Sequence, residues 1–293
     1  MDGITQIEID QRIYDLYDEY CHGRIDRRSF LAQASAVTVG GLAMAQALMP
    51  RYANAQTISF TDERIKATYV GYPSPGGTSG QMRGYLVQPK GNGPFPVVLV
   101  IHENRGLNPY IEDVARRAAT EGFLALAPDG LFPVGGYPGN DDDGRALQAK
   151  LDQPKLRTDM LNSAKFLKTH AMSTGKLGVT GFCWGGGTTN WLATALGPDM
   201  QAGVPYYGAA AETASVPQIK APLLIQLAEN DERINSMYPA YEAALKAAGV
   251  PYELFVYPGT QHGFHNNSTP RYNEAAAKLS WERTIAFFRK NLV

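Results

Sequence analysis

The segment Gly181-Phe182-Cys183-Trp184-Gly185-Gly186 constrains this chain more than any other. The apolar run Lys176–Thr180 precedes it and Gly187-Thr-Thr-Asn-Trp-Leu-Ala193 follows, so the spacing predicts a strand, a sharp turn bearing a thiol, and a helix. The GxCxG pattern has a steric origin. A nucleophile on such a turn sits in a strained conformation, and glycines two residues to either side let strand and helix approach without Cβ clashes. The turn also sets the thiol at a helix N-terminus, where N–H groups favour a thiolate and can hold an oxyanion. Alone, these six residues equally fit a buried structural cysteine beside a glycine-rich turn.

The rest of the chain decides what kind of turn this is. Ile65–Val70 and Met82–Val87 alternate apolar and polar residues and predict two antiparallel edge strands. Pro96–Ile101 is a continuous β-branched run that predicts a central parallel strand, buried on both faces. Strands at Phe123–Ala127, Ala202–Tyr207, Pro222–Leu227 and Tyr252–Tyr257 alternate with helices at Pro109–Gly122, Pro154–His170, Ser236–Ala248 and within Pro270–Leu292. That rhythm predicts an α/β fold with a mostly parallel sheet covered on both faces. The stretch from Asp129 to Gly144 is expected to be an unstructured surface loop beside the pocket, with Asp141-Asp142-Asp143 as a solvated acidic run.

A length of 293 residues with 44% hydrophobic content suits one large α/β domain. The net charge of −1, without a basic block interleaved with aromatics, points away from nucleic acid and anionic membranes and toward a small-molecule partner. No HExxH or CxxC spacing occurs, so neither a metal nor another cofactor is expected.

The first 55 residues read separately. Asp26-Arg27-Arg28-Ser29-Phe30-Leu31 is a twin-arginine pattern, followed by an Ala/Gly-rich run from Leu31 to Met49 and an AxA site at Ala53-Asn54-Ala55. Residues 1–55 are therefore expected to be a twin-arginine signal, with the α/β domain at 56–293 and the mature protein exported, to the periplasm. The competing expectation is a retained helical hairpin in the cytoplasm, because Ile9, Ile13, Leu16, Tyr17 and Tyr20 have helical spacing. Removal of the segment takes Cys21 with it and leaves Cys183 as the single thiol.

A cysteine nucleophile needs a base and a group that orients the base, and in doubly wound sheets such groups follow strand ends. Asp231 follows one predicted strand and His262 another, in the order nucleophile, acid, histidine. His265 is a rival base or a pocket wall, and Glu229 and Glu232 are rivals to Asp231. His102-Glu103-Asn104-Arg105-Gly106 follows the central strand.

Together GFCWGG, HENRG, the Asp231 loop and HGF resemble the dienelactone hydrolase (carboxymethylenebutenolidase) family of α/β-hydrolases, over roughly Thr57 to Val293. The resemblance implies Cys183 as nucleophile, His262 as base, Asp231 as its orienter, and Glu103 as the carboxyl that contacts the resting thiol. It implies an oxyanion hole from the backbone N–H groups of Trp184 and Asn104, and hydrolysis of an ester or lactone through an acyl-enzyme. The family's carboxylate-binding arginine, four residues past the histidine, is here Asn266, and a second has no match in Pro128–Pro133. Arg105, Arg233 or Arg271 are the available substitutes, and Arg105, His265 and Asn266 are the expected pocket residues. An acyltransferase or thioesterase on the same triad, or a non-catalytic binding protein on this fold, are the alternatives.

Overall fold

The computed structural model describes residues 10–21, 25–47 and 56–293. Three short helices open it: α1 (Gln11–Cys21), α2 (Arg27–Val37) and α3 (Gly41–Ala47). Asp26 caps α2 by accepting a hydrogen bond from the Ser29 N–H at 2.7 Å, so the twin-arginine pair forms the first turn of a helix. The apolar run after it is broken between α2 and α3, where Gly40 takes φ +81. Ile13, Tyr14, Tyr17 and Tyr20 pack with Phe30, Ala34 and Ala45 into a small core of their own. The Ala53-Asn54-Ala55 site lies outside the described residues. No helix among the described residues is long and apolar enough to cross a membrane.

The remainder alternates as expected. The strands are β1 (Ile65–Ser74), β2 (Gly80–Pro89), β3 (Phe95–Ile101), β4 (Leu124–Pro128), β5 (Ser173–Phe182), β6 (Ala202–Tyr206), β7 (Leu223–Asn230) and β8 (Tyr252–Gln261). The helices between and after them are α4 (Pro109–Thr120), α5 (Asp141–Lys150), α6 (Gln153–Lys168), α7 (Trp184–Leu196), α8 (Glu232–Asn235), α9 (Tyr238–Ala248) and α10 (Glu274–Leu292). Among the described residues the strands form one sheet in the order β1-β2-β4-β3-β5-β6-β7-β8. Strands β3 to β8 pair in parallel, whereas β2 is antiparallel to both β1 and β4. Only β1 of the expected edge pair is therefore an edge; β2 is interior because its inner half pairs with β4.

The β-branched run of β3 is fully buried from Val97 to Ile101, between two apolar layers. One layer holds α4 and the Ile285, Phe288 and Leu292 face of α10; the other holds Leu156, Met160 and Leu167 of α6 with Leu192 of α7. Burial on both faces is what a continuous apolar strand requires.

The expectation of an unstructured loop from Asp129 to Gly144 is corrected. Phe132–Val134 makes a 3-10 turn, and Asp141, Asp142 and Asp143 form the first turn of α5 behind the Asn140 cap. Three carboxylates complement the positive end of a helix, and Asn140 Oδ1 accepts from the Asp143 N–H at 2.9 Å. Asp141 is moreover buried, and it pairs with buried Arg105 at 2.5 Å.

Candidate active site

Cys183 stands between β5 and α7 with φ 56 and ψ −114, a conformation that side-chain-bearing residues rarely adopt. Its surroundings explain the glycines. A Cβ on Gly181 would lie 2.3 Å from the Gly185 carbonyl oxygen, one on Gly185 would lie 2.4 Å from that of Ile101, and one on Gly186 would lie 2.3 Å from that of Tyr206. These contacts are with backbone, which has no room to yield, so α7 is wedged between the ends of β3 and β6. The Cys183 N–H donates to the Tyr206 carbonyl at 3.1 Å, and the Gly187 N–H of the first turn of α7 donates back to the Cys183 carbonyl at 3.1 Å.

Asp231 and His262 each follow the last residue of a strand, and those last residues, Asn230 and Gln261, pair across the sheet. His262 Nδ1–H donates to Asp231 Oδ2 at 2.5 Å, with both side chains buried. Burial works against a charged His262, but the Asp231 carboxylate and then Cys183 outweigh it and hold the imidazole well above its ordinary value. Cys183 and the His262 ring share the lining of one cavity. Glu103 is buried nearby, where desolvation pushes its carboxyl up while Arg105 pulls it back. Its Oε2 accepts from Asn266 Nδ2 at 3.0 Å.

A cavity of about 410 Å³ opens onto these groups. Cys183, His262, Asn104 and Trp184 line its reactive end; Trp191 and Ala209–Ala211 supply apolar wall. Arg157, Arg233 and Glu212 are the charged residues of the lining.

Three residues expected in the pocket lie elsewhere. Arg105 is committed to Asp141 behind the loop. Asn266 is buried against Glu103, and Ser268 Oγ donates to its side-chain Oδ1 at 2.5 Å. His265 sits in the aromatic core, ring centres 5.1 Å from Phe182, with Nδ1 and the Tyr110 hydroxyl 2.7 Å apart. Burial, joined by the Arg117 charge, holds His265 well below its ordinary value, which suits a neutral core histidine rather than a base. Of the arginine substitutes, Arg233 is in the cavity wall and Arg105 and Arg271 are not.

Sequence reasoning missed three neighbours. Tyr207 has φ 34 at the end of β6 and lies with its ring centre 5.0 Å from that of His262. Its place after a strand end was the available signal. His102, within the HENRG segment, directs Nδ1–H to the Glu103 carbonyl at 2.6 Å and accepts from the Gly130 N–H at 3.2 Å, while stacking on Trp184. It thereby ties the β3 and β4 loops to the first residue of α7. Arg157 comes from the exposed face of α6, and nothing in that helix's pattern marks it.

The Arg105–Asp141 pair makes a stability prediction. Arg105→Met is expected to destabilise the protein by about 3–5 kcal/mol, because it strands a buried carboxylate, and Asp141→Asn by less. Urea unfolding of the two variants checks it.

The model of the dienelactone hydrolase family matches residues 82–292, and a model described as YqhI-like matches residues 1–39. An Escherichia coli K12 hydrolase fragment, YghX, is 62% identical over 112 residues, covering 38% of this chain and 95% of its own. A carboxymethylenebutenolidase of the same strain is 32% identical over 245 residues, covering 78% of this chain and 89% of its own. A solved dienelactone hydrolase from Klebsiella pneumoniae superimposes with a TM-score of 0.66 at 29% identity, covering 76% of this chain and 99% of the other. Each of these three names is a provisional one.

Proposed function

This chain belongs to the dienelactone hydrolase family, with its α/β-hydrolase fold, and from that premise we propose that it cleaves carboxylic esters or lactones through Cys183, His262 and Asp231. Hydrolysis of a carboxylic ester bond follows from the family; the triad and the thioester intermediate are the finer reading. One observation carries it: a strained thiol at the head of α7, a histidine held by a buried carboxylate, and both open to the same cavity.

The chemistry follows from the placement. The elevated proton affinity of His262 favours an imidazolium beside a Cys183 thiolate. Sulfur attacks the carbonyl carbon, the C–S bond forms, and the carbonyl electrons move to oxygen. The N–H groups of Trp184 and Asn104 supply the oxyanion hole, aided by the positive end of α7. Collapse breaks the ester C–O bond, the leaving alkoxide takes the imidazolium proton, and a thioester remains. Water then attacks with His262 accepting its proton, and thiolate leaves as the carboxylate product forms. Asp231 keeps the imidazole in one tautomer throughout. The Glu103 carboxylate, whose proton affinity burial raises, is a second group besides His262 able to take the proton of the resting thiol.

The cavity favours an acyl group that carries its own carboxylate. Arg157 and Arg233 stand in the wall, while position 266 carries an amide that is already spent on Glu103. A panel of lactones and activated esters tests both levels. Activity on these substrates, blocked by iodoacetamide, is the expected result; turnover that survives alkylation rejects the cysteine mechanism. A carboxylated lactone is expected to exceed its neutral methyl ester about tenfold in kcat/KM, and Arg157→Ala to erase most of that preference. Equal rates reject the carboxylate assignment and leave the hydrolase.

A further inference from the structure

Two arginines that the catalytic chemistry leaves unused tie the N-terminal helices to opposite sides of the site. Arg271, downstream of His262, is 3% exposed, and its guanidinium carbon lies 4.6 Å from the centre of the Tyr17 ring on α1. The same guanidinium rests on the residue that follows the histidine: a Cβ on Gly263, which has φ +88, would lie 2.9 Å from Arg271 Nη2. The charge of Arg271 also reaches Glu103, Tyr207 and Tyr14.

Arg145, on α5, makes the second tie. Its guanidinium carbon lies 4.1 Å from the centre of the Tyr20 ring, and Nη1 donates to the Tyr20 carbonyl. Arg27 of the twin-arginine pair faces Asp142, also on α5, at 3.6 Å. Helix α5 is itself held to the loop that carries Asn104. Beyond the Arg105–Asp141 pair, the Gly106 N–H donates to Gln148 Oε1 at 3.2 Å, and a Cβ on Gly144 would lie 2.4 Å from the Arg105 carbonyl oxygen. So α1 reaches the His262 loop through one arginine and the Asn104 loop through another. Tyr14, Asp15 and Glu19 complete one wall of a cavity of about 180 Å³ whose other wall includes Asp231 and His262.

We propose that α1 to α3 are a standing part of the working enzyme, a brace in which Tyr17 and Tyr20 act as positioning residues for the His262 and Asn104 loops through Arg271 and Arg145. The proposal rests on the Cys183, His262 and Asp231 reading, and it opposes removal of the segment near Ala55, since a chain beginning at Gln56 lacks both tyrosines. Its physical content is preorganisation. A guanidinium stacked on a ring out of water is held in place, and displacement of a reacting group by about 1 Å can cost on the order of a hundredfold in rate.

The test uses the full chain carrying Tyr17→Ala, Tyr17→Phe or Tyr20→Ala, assayed on an activated ester beside wild type and Cys183→Ala. The intact mass of active wild-type protein from a twin-arginine-competent host is measured with it. Expected are a mass that retains α1, a loss of kcat of about tenfold in Tyr17→Ala with KM within about twofold, and recovery in Tyr17→Phe, which keeps the ring over Arg271. If Tyr17→Ala does not fold, a tenfold loss of kcat in folded Tyr20→Ala supports the brace. Wild-type kcat in Tyr20→Ala and in any folded Tyr17→Ala, or an active protein whose mass begins at Gln56, overturns it. The two readings fail separately: turnover surviving in Cys183→Ala rejects the triad, whereas loss there with unaffected tyrosine variants rejects the brace alone.

Discussion

Cys183→Ala is expected to lower turnover of a small activated ester by at least about 10⁴-fold while the protein stays folded. The loss is large because the covalent route disappears with the sulfur, and the oxyanion hole alone retains only a fraction of the acceleration. Folding should be nearly unaffected, since alanine keeps the Cβ and with it the strain of φ 56. Cys183→Gly separates the two properties. It should be as inactive as the alanine variant, yet more stable than it by about 1–3 kcal/mol, the cost of holding a side-chain-bearing residue in that conformation. Single-turnover kinetics and denaturant unfolding of the pair check both halves, and a melt unchanged between alanine and glycine would remove strain from the account of the elbow.

The second large effect belongs to Asp231→Asn. His262 is held well above its ordinary value against the opposing effect of burial, and the Asp231 carboxylate is the strongest of the groups that do so. Without that charge burial wins, the imidazole titrates lower, and its tautomer is no longer set. We expect kcat to fall about 10³-fold, and the alkaline limb of the rate profile, which reports loss of the imidazolium proton, to move to lower pH. Stability follows the same sign. The folded value lies above the ordinary imidazole value of 6.5, so stabilisation from the His262 and Asp231 pair is complete below about pH 6.5 and is lost as pH rises through the folded value. Melting temperature should therefore fall across that window in wild type and stay flatter in Asp231→Asn. An alkaline limb at the same pH in both proteins would show that another group sets it.

The sheet was legible because its central strands are buried on both faces, and a run such as Val97–Ile101 has no second way to satisfy that burial. The elbow was legible for a related reason: backbone oxygens stand where side chains at positions 181, 185 and 186 would go, so the requirement is written in residue type. Strand ends located Asp231 and His262, but a strand end fixes a position and not the direction of the side chains after it. Hence His265 reads like a pocket residue and turns instead into the Phe182 and Tyr206 cluster, and Arg105 turns back to meet Asp141. The partner that decides Arg105 sits inside an acidic run that looks solvated until Asn140 caps it as a helix. Contacts between α1 and positions 145 and 271 join parts of the chain that no local pattern relates.

The pairing of Asn230 with Gln261 has a consequence for how this site can change over time. Acid and base are consecutive with the last rung of a ladder shared by β7 and β8, so their separation is inherited from the sheet. A single-residue deletion in the regular part of β8, from Tyr252 to Tyr257, would reverse the faces of its side chains and carry His262 away from Asp231. Between the two residues, the span of α9 and the turn at Gly249 can change length without moving either, because extra residues there leave the ladder's end where it is. Acid and base can thus pass as a unit between variants of different length, while the cysteine is set separately, by the ends of β3 and β6 against which α7 is wedged.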